Sequence, residues 1–249
     1  MKIFYTLLFS FLSITAFSQE KEGAVTYESV FKIDVSRFPE NMRSMIPAER
    51  KSKYQLLFNQ KEAIYKPVKE EEDINQEAGN GGGVRMRFRG GGGENSEYYT
   101  DLEKGITIDK QDFLDRTFLI DGGEEIEWKV TGEMQMIAGY QCMKATYMER
   151  DTILVAAWFT PQIPISLGPG QYAGLPGLVL SVDYNDGQRT LLATNIDLRA
   201  LTEEETISPP EKGKKVSREE FNKMRREKME EMREMNGGRG SGGTFIIRN

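Results

Sequence analysis

The chain has 249 residues, of which 38% are hydrophobic and 29% charged, and its formal net charge is −6. This composition is typical of a globular protein with some polar stretches, and the acidic balance argues against nucleic acid as the main partner. The chain has no histidine and one cysteine, Cys142, which excludes Ser-His-Asp and Cys-His catalysis, histidine-ligated metals, thiolate zinc sites and iron–sulfur clusters.

Residues 1–18 have the features of a signal peptide. Lys2 precedes an apolar run at 3–17, and Ala16 and Ser18 stand at the small-residue spacing of a signal peptidase site. The run is shorter than the roughly 20 residues of a membrane-spanning helix, and a lipoprotein would need a cysteine at the cleavage point. We therefore expect a periplasmic or extracellular protein that is not a lipoprotein and has no transmembrane segment after cleavage.

The rest of the chain shows the period of two that is typical of β-strands. The predicted strands lie at 23–36, at 52–68 (two strands), and at 97–101, 105–109, 116–120, 125–131, 135–137, 142–149, 152–160, 178–184 and 190–197. A short helix or loop is predicted at 38–50. Because turn residues separate the strands at short intervals, we predict a mainly β domain over 19–200, either a curved antiparallel meander or a partly closed barrel.

A glycine-rich insert interrupts this pattern at about 69–95 and predicts a flexible loop. Within it, Arg85, Arg87 and Arg89 alternate with apolar residues, so a strand here would have one basic face. Such a face suits anionic head groups or an acidic partner. The arginines equally suit a solubilised edge strand, which is the interpretation we favour.

A charged helix is predicted near the end of the chain, within a C-terminal region at 201–249. Ser217 and Glu220 have the spacing of a capping box. An incomplete apolar stripe follows on the helix, made of Phe221, Met224, Met229 and Met232. A glycine-rich tail ends the helix, and the last apolar residues are compatible with a final strand.

The candidate chemical groups favour structural interpretations. Segment 183–187 (DYNDG) misses the calcium-loop spacing by one residue and is typical of a hairpin turn. Glu124, Glu125 and the glutamates at 203–205 are interpreted as solvated, and Cys142 as a small buried side chain, with a reactive thiol as the alternative. We predict a non-enzymatic protein without a metal or a cofactor.

The most distinctive segment is WFTPQIPISLGPGQYAGLPGLVL, at 158–180. Four of the nine prolines lie in it, and each fixes φ and removes a backbone donor, which predicts a preset loop. Gly174 and Gly177 allow positive φ or a close backbone approach. Leu175, held extended by Pro176, is predicted to insert into the apolar interior. The loop would fix the register of the next strand or, alternatively, form the rim of an apolar pocket or dock a partner.

This segment resembles the defining stretch of the GLPGLI family of exported Bacteroidetes proteins, with Val179 in place of the final isoleucine. Further resemblance lies in DFLDRTFLI, EWKVTGEMQMIAGYQCMKATY and GQRTLLATNIDL, so that it runs from about Tyr98 to Leu198. The resemblance implies an exported, mainly β envelope protein and supplies no catalytic residues. The motif residues are Trp158, Pro161, Pro164, Gly168, Pro169, Gly174, Leu175, Pro176, Gly177 and Leu178.

Two functions remain open from the sequence. A curved sheet with an apolar concave face and a loop over it is typical of carriers, whose ligand would be a lipid, an acyl chain or an apolar peptide. This carrier hypothesis is the leading one. The alternative is an accessory interaction protein of an outer-membrane receptor or another envelope complex, which would bind through the helix, the arginine-bearing strand or a sheet edge.

Overall fold

The structure is a computed structural model that describes residues 22–68 and 96–235. The predicted signal peptide, the insert with Arg85, Arg87 and Arg89, and the glycine-rich tail lie outside the described residues. Within the two described ranges, no helix combines the length and the hydrophobicity that crossing a membrane requires.

The described residues form twelve strands and two α-helices. The strands are β1 (Gly23–Lys32), β2 (Glu49–Phe58), β3 (Glu62–Pro67), β4 (Glu97–Asp101), β5 (Ile106–Phe113), β6 (Arg116–Asp121), β7 (Lys129–Ile137), β8 (Tyr140–Glu149), β9 (Ile153–Thr160), β10 (Leu178–Tyr184), β11 (Arg189–Asp197) and β12 (Lys214–Ser217). The helices are α1 (Glu40–Arg43) and α2 (Arg218–Met235), and a short 3-10 turn spans Val35–Arg37.

All twelve strands belong to one sheet, in the order β12-β6-β5-β4-β3-β2-β1-β11-β10-β9-β8-β7. Neighbouring strands are antiparallel, except that β12 lies parallel to β6. The sheet does not close, so β7 and β12 form its two edges. The predicted mainly β, antiparallel fold with a charged C-terminal helix is therefore confirmed.

Two details of the strand prediction were wrong. The expected strands at 125–131 and 135–137 are one strand, β7, and residues 125–128 lie outside any strand. A register shift lies between Val130 and Met134, with Gly132 at φ +84°. It interrupts the alternation of apolar and polar residues in β7, and for this reason the sequence predicted two strands. β12 was missed because four residues with two lysines show no apolar period.

Aromatic side chains fill the centre of the sheet in a group that we call the tyrosine cluster. Its buried members are Val25, Tyr27, Tyr54, Leu56, Phe58, Ala63, Tyr65, Ile137, Cys142, Ile163, Leu167, Leu178, Leu180 and Ala193. Tyr54 and Tyr65 stack with their ring centroids 5.1 Å apart, and Tyr27 meets Tyr65 edge-on at 6.0 Å. Strand alternation explains the cluster, because the register places Tyr27 opposite Tyr54.

A register shift in β10 lies beside a long-range polar contact of this cluster. The pairing of β10 with β9 shifts between Val179 and Ser181, which disrupts the ladder at that point. The hydroxyl of Tyr27 donates a 2.7 Å hydrogen bond to the carbonyl oxygen of Val179. Tyr27 is fully buried, so this bond satisfies two groups that water cannot reach.

Helix α2 is fastened to the far end of the sheet at its first turn. The capping box is confirmed, since the Ser217 and Glu220 side chains each accept the other residue's backbone N–H, at 3.1 and 3.0 Å. Phe221 is buried against Phe118, with centroids 5.4 Å apart. Arg218 donates to the buried Asp109 carboxylate at 2.8 Å, and burial raises the pKa of Asp109.

Replacing Tyr27 with phenylalanine should leave the Val179 carbonyl without its partner. We expect Tyr27→Phe to lower the free energy of unfolding by about 1–3 kcal/mol, the cost of an unsatisfied buried polar group, as measured by urea denaturation. Tyr140→Phe, at a half-buried tyrosine, is the control and should change stability by less than about 0.5 kcal/mol. Equal effects of the two substitutions would show that the Tyr27 bond adds nothing.

Candidate functional site

The proline-rich loop at 161–177 joins β9 to β10 and packs into both main clusters of the core. Ile163 and Leu167 belong to the tyrosine cluster. Tyr172 and Leu175 belong to a second group, the loop cluster, with Ala145, Val155, Ala157, Phe159, Val179, Val182 and Leu191. Backbone bonds from Leu178 to Ile163 (3.0 Å) and from Val179 to Leu167 (2.9 Å) tie the loop to the start of β10.

Two glycines of the loop lie where no side chain fits. A Cβ atom on Gly177, which has φ +154°, would lie less than 3.0 Å from the carbonyl oxygen of Thr160. A Cβ atom on Gly168 would lie less than 3.0 Å from the carbonyl oxygen of Tyr172. Real Cβ atoms essentially never approach backbone atoms so closely, so both positions require glycine for the close passage of two chain segments.

The ten motif residues differ in how far they are buried. Gly168, Pro169, Leu175, Gly177 and Leu178 are buried, Trp158 is partly exposed, and Pro161, Pro164, Gly174 and Pro176 are exposed. Leu175 is among the largest fully buried side chains and packs in the loop cluster, directly between exposed Gly174 and exposed Pro176. The structure thus brings the buried motif residues together beneath the loop and leaves most of its prolines on the surface.

A hydrogen bond from Trp128 holds the loop at Ala173. Its indole Nε1 donates to the carbonyl oxygen of Ala173 at 2.8 Å, and its ring meets Tyr147 edge-on with centroids 4.9 Å apart. The sequence placed Trp128 in a strand. It instead ends the irregular segment before β7, where its indole can reach the loop.

A cleft of about 650 Å³ opens beside this contact, and we call it the α2 cleft. Its lining residues are Glu124, Glu125, Ile126, Glu127, Tyr147, Met148, Glu149, Arg150, Asn222, Arg225 and Arg226. Four carboxylates and three guanidiniums therefore face one space. The sequence did not predict this cleft, because its walls come from three segments that are separated in the chain.

Partial burial is the main cause of the pKa shifts in and near the α2 cleft. Burial raises the pKa of Tyr147 and raises that of nearby Tyr172 to about 12, so both hydroxyls are neutral at physiological pH. Burial lowers the pKa of Arg225, and the positive charge of Arg150 lowers it further, while Glu124 and Glu149 act in the opposite direction. Glu124 lines the cleft and is exposed, which agrees with its interpretation as a solvated carboxylate.

A second feature lies at the β7 edge of the sheet. Val130, Met134 and Met136 are 46%, 59% and 65% exposed. A shallow groove of about 510 Å³ adjoins them, lined by Gln135, Met136, Ile137, Ala138, Ser181, Leu192, Ala193 and Thr194. We call the outer side of β7 together with this groove the β7 edge site.

The remaining candidate groups have structural surroundings. Cys142 is buried, which raises the pKa of its thiol to about 11. The Asp183 carboxylate accepts the Gly187 backbone N–H at 2.6 Å, as expected for a turn at DYNDG. The description of Glu205 as solvated was wrong, since Arg199 donates to both its oxygens at 2.7 and 2.9 Å and lowers its pKa to about 2.

No group of three or more carboxylate, cysteine or histidine side chains suited to a metal ion occurs among the residues at 22–68 and 96–235.

Comparisons with known proteins agree with the motif and the fold. A family described as "Protein of unknown function (Porph_ging)" matches residues 148–181. This Bacteroidetes family corresponds to the GLPGLI family, so the match contains the motif but is shorter than the expected resemblance from Tyr98 to Leu198. No curated protein matches the chain.

Among solved structures, those of PNGF-II in the P21 and C2 space groups both superpose with a TM-score of 0.52 at 14% sequence identity. The match covers 82% of this chain, and 33% and 32% of the PNGF-II chains. This chain therefore spans about a third of the length of PNGF-II. At such low identity, the likeness shows a shared fold alone.

Alanine at Gly177 should force the β9 and β10 ends apart. We expect Gly177→Ala to lower the free energy of unfolding by at least about 3 kcal/mol, because the clash is with backbone and adds to the strained φ. Gly139→Ala is the matched control, with φ +84° and open space around the new Cβ, and should cost only about 1–2 kcal/mol. Thermal or urea denaturation measures both, and similar losses would mean that the close approach at Gly177 relaxes freely.

Proposed function

We propose that this chain is a non-enzymatic binding protein of the bacterial cell envelope that holds an extended segment of a polypeptide partner at the β7 edge site. The observation that carries the proposal is the combination of an open sheet edge with exposed apolar side chains. In the described part of the chain, β7 has β8 on one side and no strand on the other. Its outer backbone N–H and C=O groups are therefore available to an added strand.

The side chains of β7 favour a polypeptide as the occupant. Met134 and Met136 lie two residues apart and are both more than half exposed, so they repeat at the spacing of residues on one face of a strand. Methionine adapts its shape to different neighbours, which makes it common at peptide-binding surfaces. The adjoining groove mixes apolar Ile137, Leu192 and Ala193 with the polar side chains of Gln135, Ser181 and Thr194, as suits a peptide with alternating side chains.

The carrier hypothesis, in which an apolar small molecule occupies the concave face, has less support. Large side chains are fully buried in both clusters, Tyr27 and Phe58 in the tyrosine cluster and Phe159 and Leu175 in the loop cluster. The protein itself therefore fills apolar space that a carrier would offer. The α2 cleft is lined mostly by charged groups, which are costly partners for an acyl chain.

The expectation of export, taken from the sequence, agrees with a role in the envelope. The sequence has no histidine to act as a catalytic base, and the Cys142 thiol is buried. Neither a histidine-activated nucleophile nor a reactive cysteine therefore supports an enzymatic alternative.

Two glutamates at the β7 edge should abolish partner binding without unfolding the sheet. We expect the double variant Met134→Glu and Met136→Glu to lose a stoichiometric protein partner that the wild type retains, because the charges oppose burial of the edge. The measurement is native mass spectrometry, with lipid extraction, of each protein purified from its own envelope. Circular dichroism checks the fold of each variant.

Met45→Glu is the matched control, since Met45 is 68% exposed and lies near α1, outside the β7 edge site. It should retain the partner. A co-purifying acyl lipid on the wild type would support the carrier hypothesis and contradict the proposal. A partner that survives the double substitution would place the contact elsewhere on the molecule.

A further inference from the structure

The α2 cleft contains a guanidinium that makes no ion pair within the described part of the chain. Arg225 is half-buried, and its guanidinium lies over the ring of Phe221, with Cζ 6.0 Å from the ring centroid. Within residues 22–68 and 96–235, its guanidinium makes no hydrogen bond and no ion pair, although four glutamates line the same cleft. A desolvated charge in this position is unfavourable unless something neutralises it.

A second guanidinium faces the same space from another element. Arg150 lies in the turn between β8 and β9, with φ +52°, and its side chain is 67% exposed. Its nearest carboxylate is that of Glu149, 3.9 Å from its Nε atom, which is at the limit of an ion pair. The charge of Arg150 lowers the pKa of Arg225, whereas the charges of Glu124 and Glu149 act in the opposite direction.

We infer that the α2 cleft binds a ligand with an oxyanion, a carboxylate or a phosphate, held between the guanidiniums of Arg225 and Arg150. Each guanidinium offers several N–H donors in a plane, the geometry that carboxylates and phosphates accept. A volume of about 650 Å³ lies within the range of small-ligand sites.

The carboxylates that line the cleft determine which charge the rest of the ligand can carry. Glu124, Glu125 and Glu127 come from the segment before β7, and Glu149 ends β8. These carboxylates repel a ligand that is anionic throughout, so the part beyond the oxyanion is neutral or cationic. This ligand site is separate from the β7 edge site and does not depend on it.

Because α2 is anchored to the sheet, its arginines are held in position beside the cleft. The Arg218–Asp109 ion pair and buried Phe221 hold the first turn of α2 on the sheet. Asn222, Arg225 and Arg226 follow at the spacing that places residues on one helix face, and all three line the cleft. A preorganised donor loses less entropy when it binds a ligand.

The test is a titration of nitrogen-15-labelled protein at low ionic strength, followed by NMR through the Arg225 Nε–H signal. Inorganic phosphate represents the phosphate source, and 4-aminobutyrate represents a carboxylate with a cationic end. We expect saturable binding of at least one compound at millimolar concentration. The compound that saturates the signal assigns the oxyanion as phosphate or carboxylate.

Three variants test the assignment, with the backbone amide signals as the readout. Arg225→Met and Arg150→Asn should each weaken binding about tenfold, the effect of losing a charge-assisted hydrogen bond; asparagine tolerates the positive φ at 150. Lys223→Met removes a charge from α2 outside the cleft and should leave binding unchanged. Absence of saturation with both compounds, or equal affinity in Arg225→Met and the wild type, would overturn the inference.

Discussion

The close passage of the two chain segments at Gly177 and Thr160 is the constraint on which the rest of the structure depends. The motif loop leaves β9 at Thr160 and returns to the same point seventeen residues later, where a Cβ atom at Gly177 would meet the Thr160 carbonyl. Because Leu178 then pairs with Thr160, the crossing sets the first residue pair of the β9–β10 ladder. The next pair, Val179 with Phe159, follows from it, and the register then shifts beside the Val179 carbonyl that accepts the Tyr27 hydrogen bond.

The filled interior follows from this arrangement, and both sites proposed above lie at the periphery. The loop contributes Leu175 to the loop cluster and Ile163 and Leu167 to the tyrosine cluster, so the chain's own residues fill both clusters. Trp128 locks the loop through Ala173. Two surfaces that remain open in the described part of the chain are the β7 edge site and the α2 cleft.

Local signals in the sequence predicted the local features, whereas the sites required contacts between distant segments. The capping box of α2 and the DYNDG turn each depend on residues within a few positions, and both occur as expected. The α2 cleft joins Glu124, Glu149 and Arg225, which no spacing rule relates. Parallel β12 was not predicted because it pairs with β6, far away in the chain, and its four residues show no apolar period. The motif glycines were identifiable as backbone constraints, but the segments that approach them were not.

The edge strand itself limits what can pair with it. Open edges invite indiscriminate association, and proteins protect them with bulges and charges. The register shift around Gly132 bends the first half of β7, and Glu133 is held by Lys144 at 3.0 Å, so this half presents an irregular, charged edge. The regular part is confined to 134–137, where the methionines and the groove lie. A partner strand therefore has only a short window of backbone pairing, and most of its specificity must come from side chains that enter the groove. Such an edge suits a selective contact better than general aggregation.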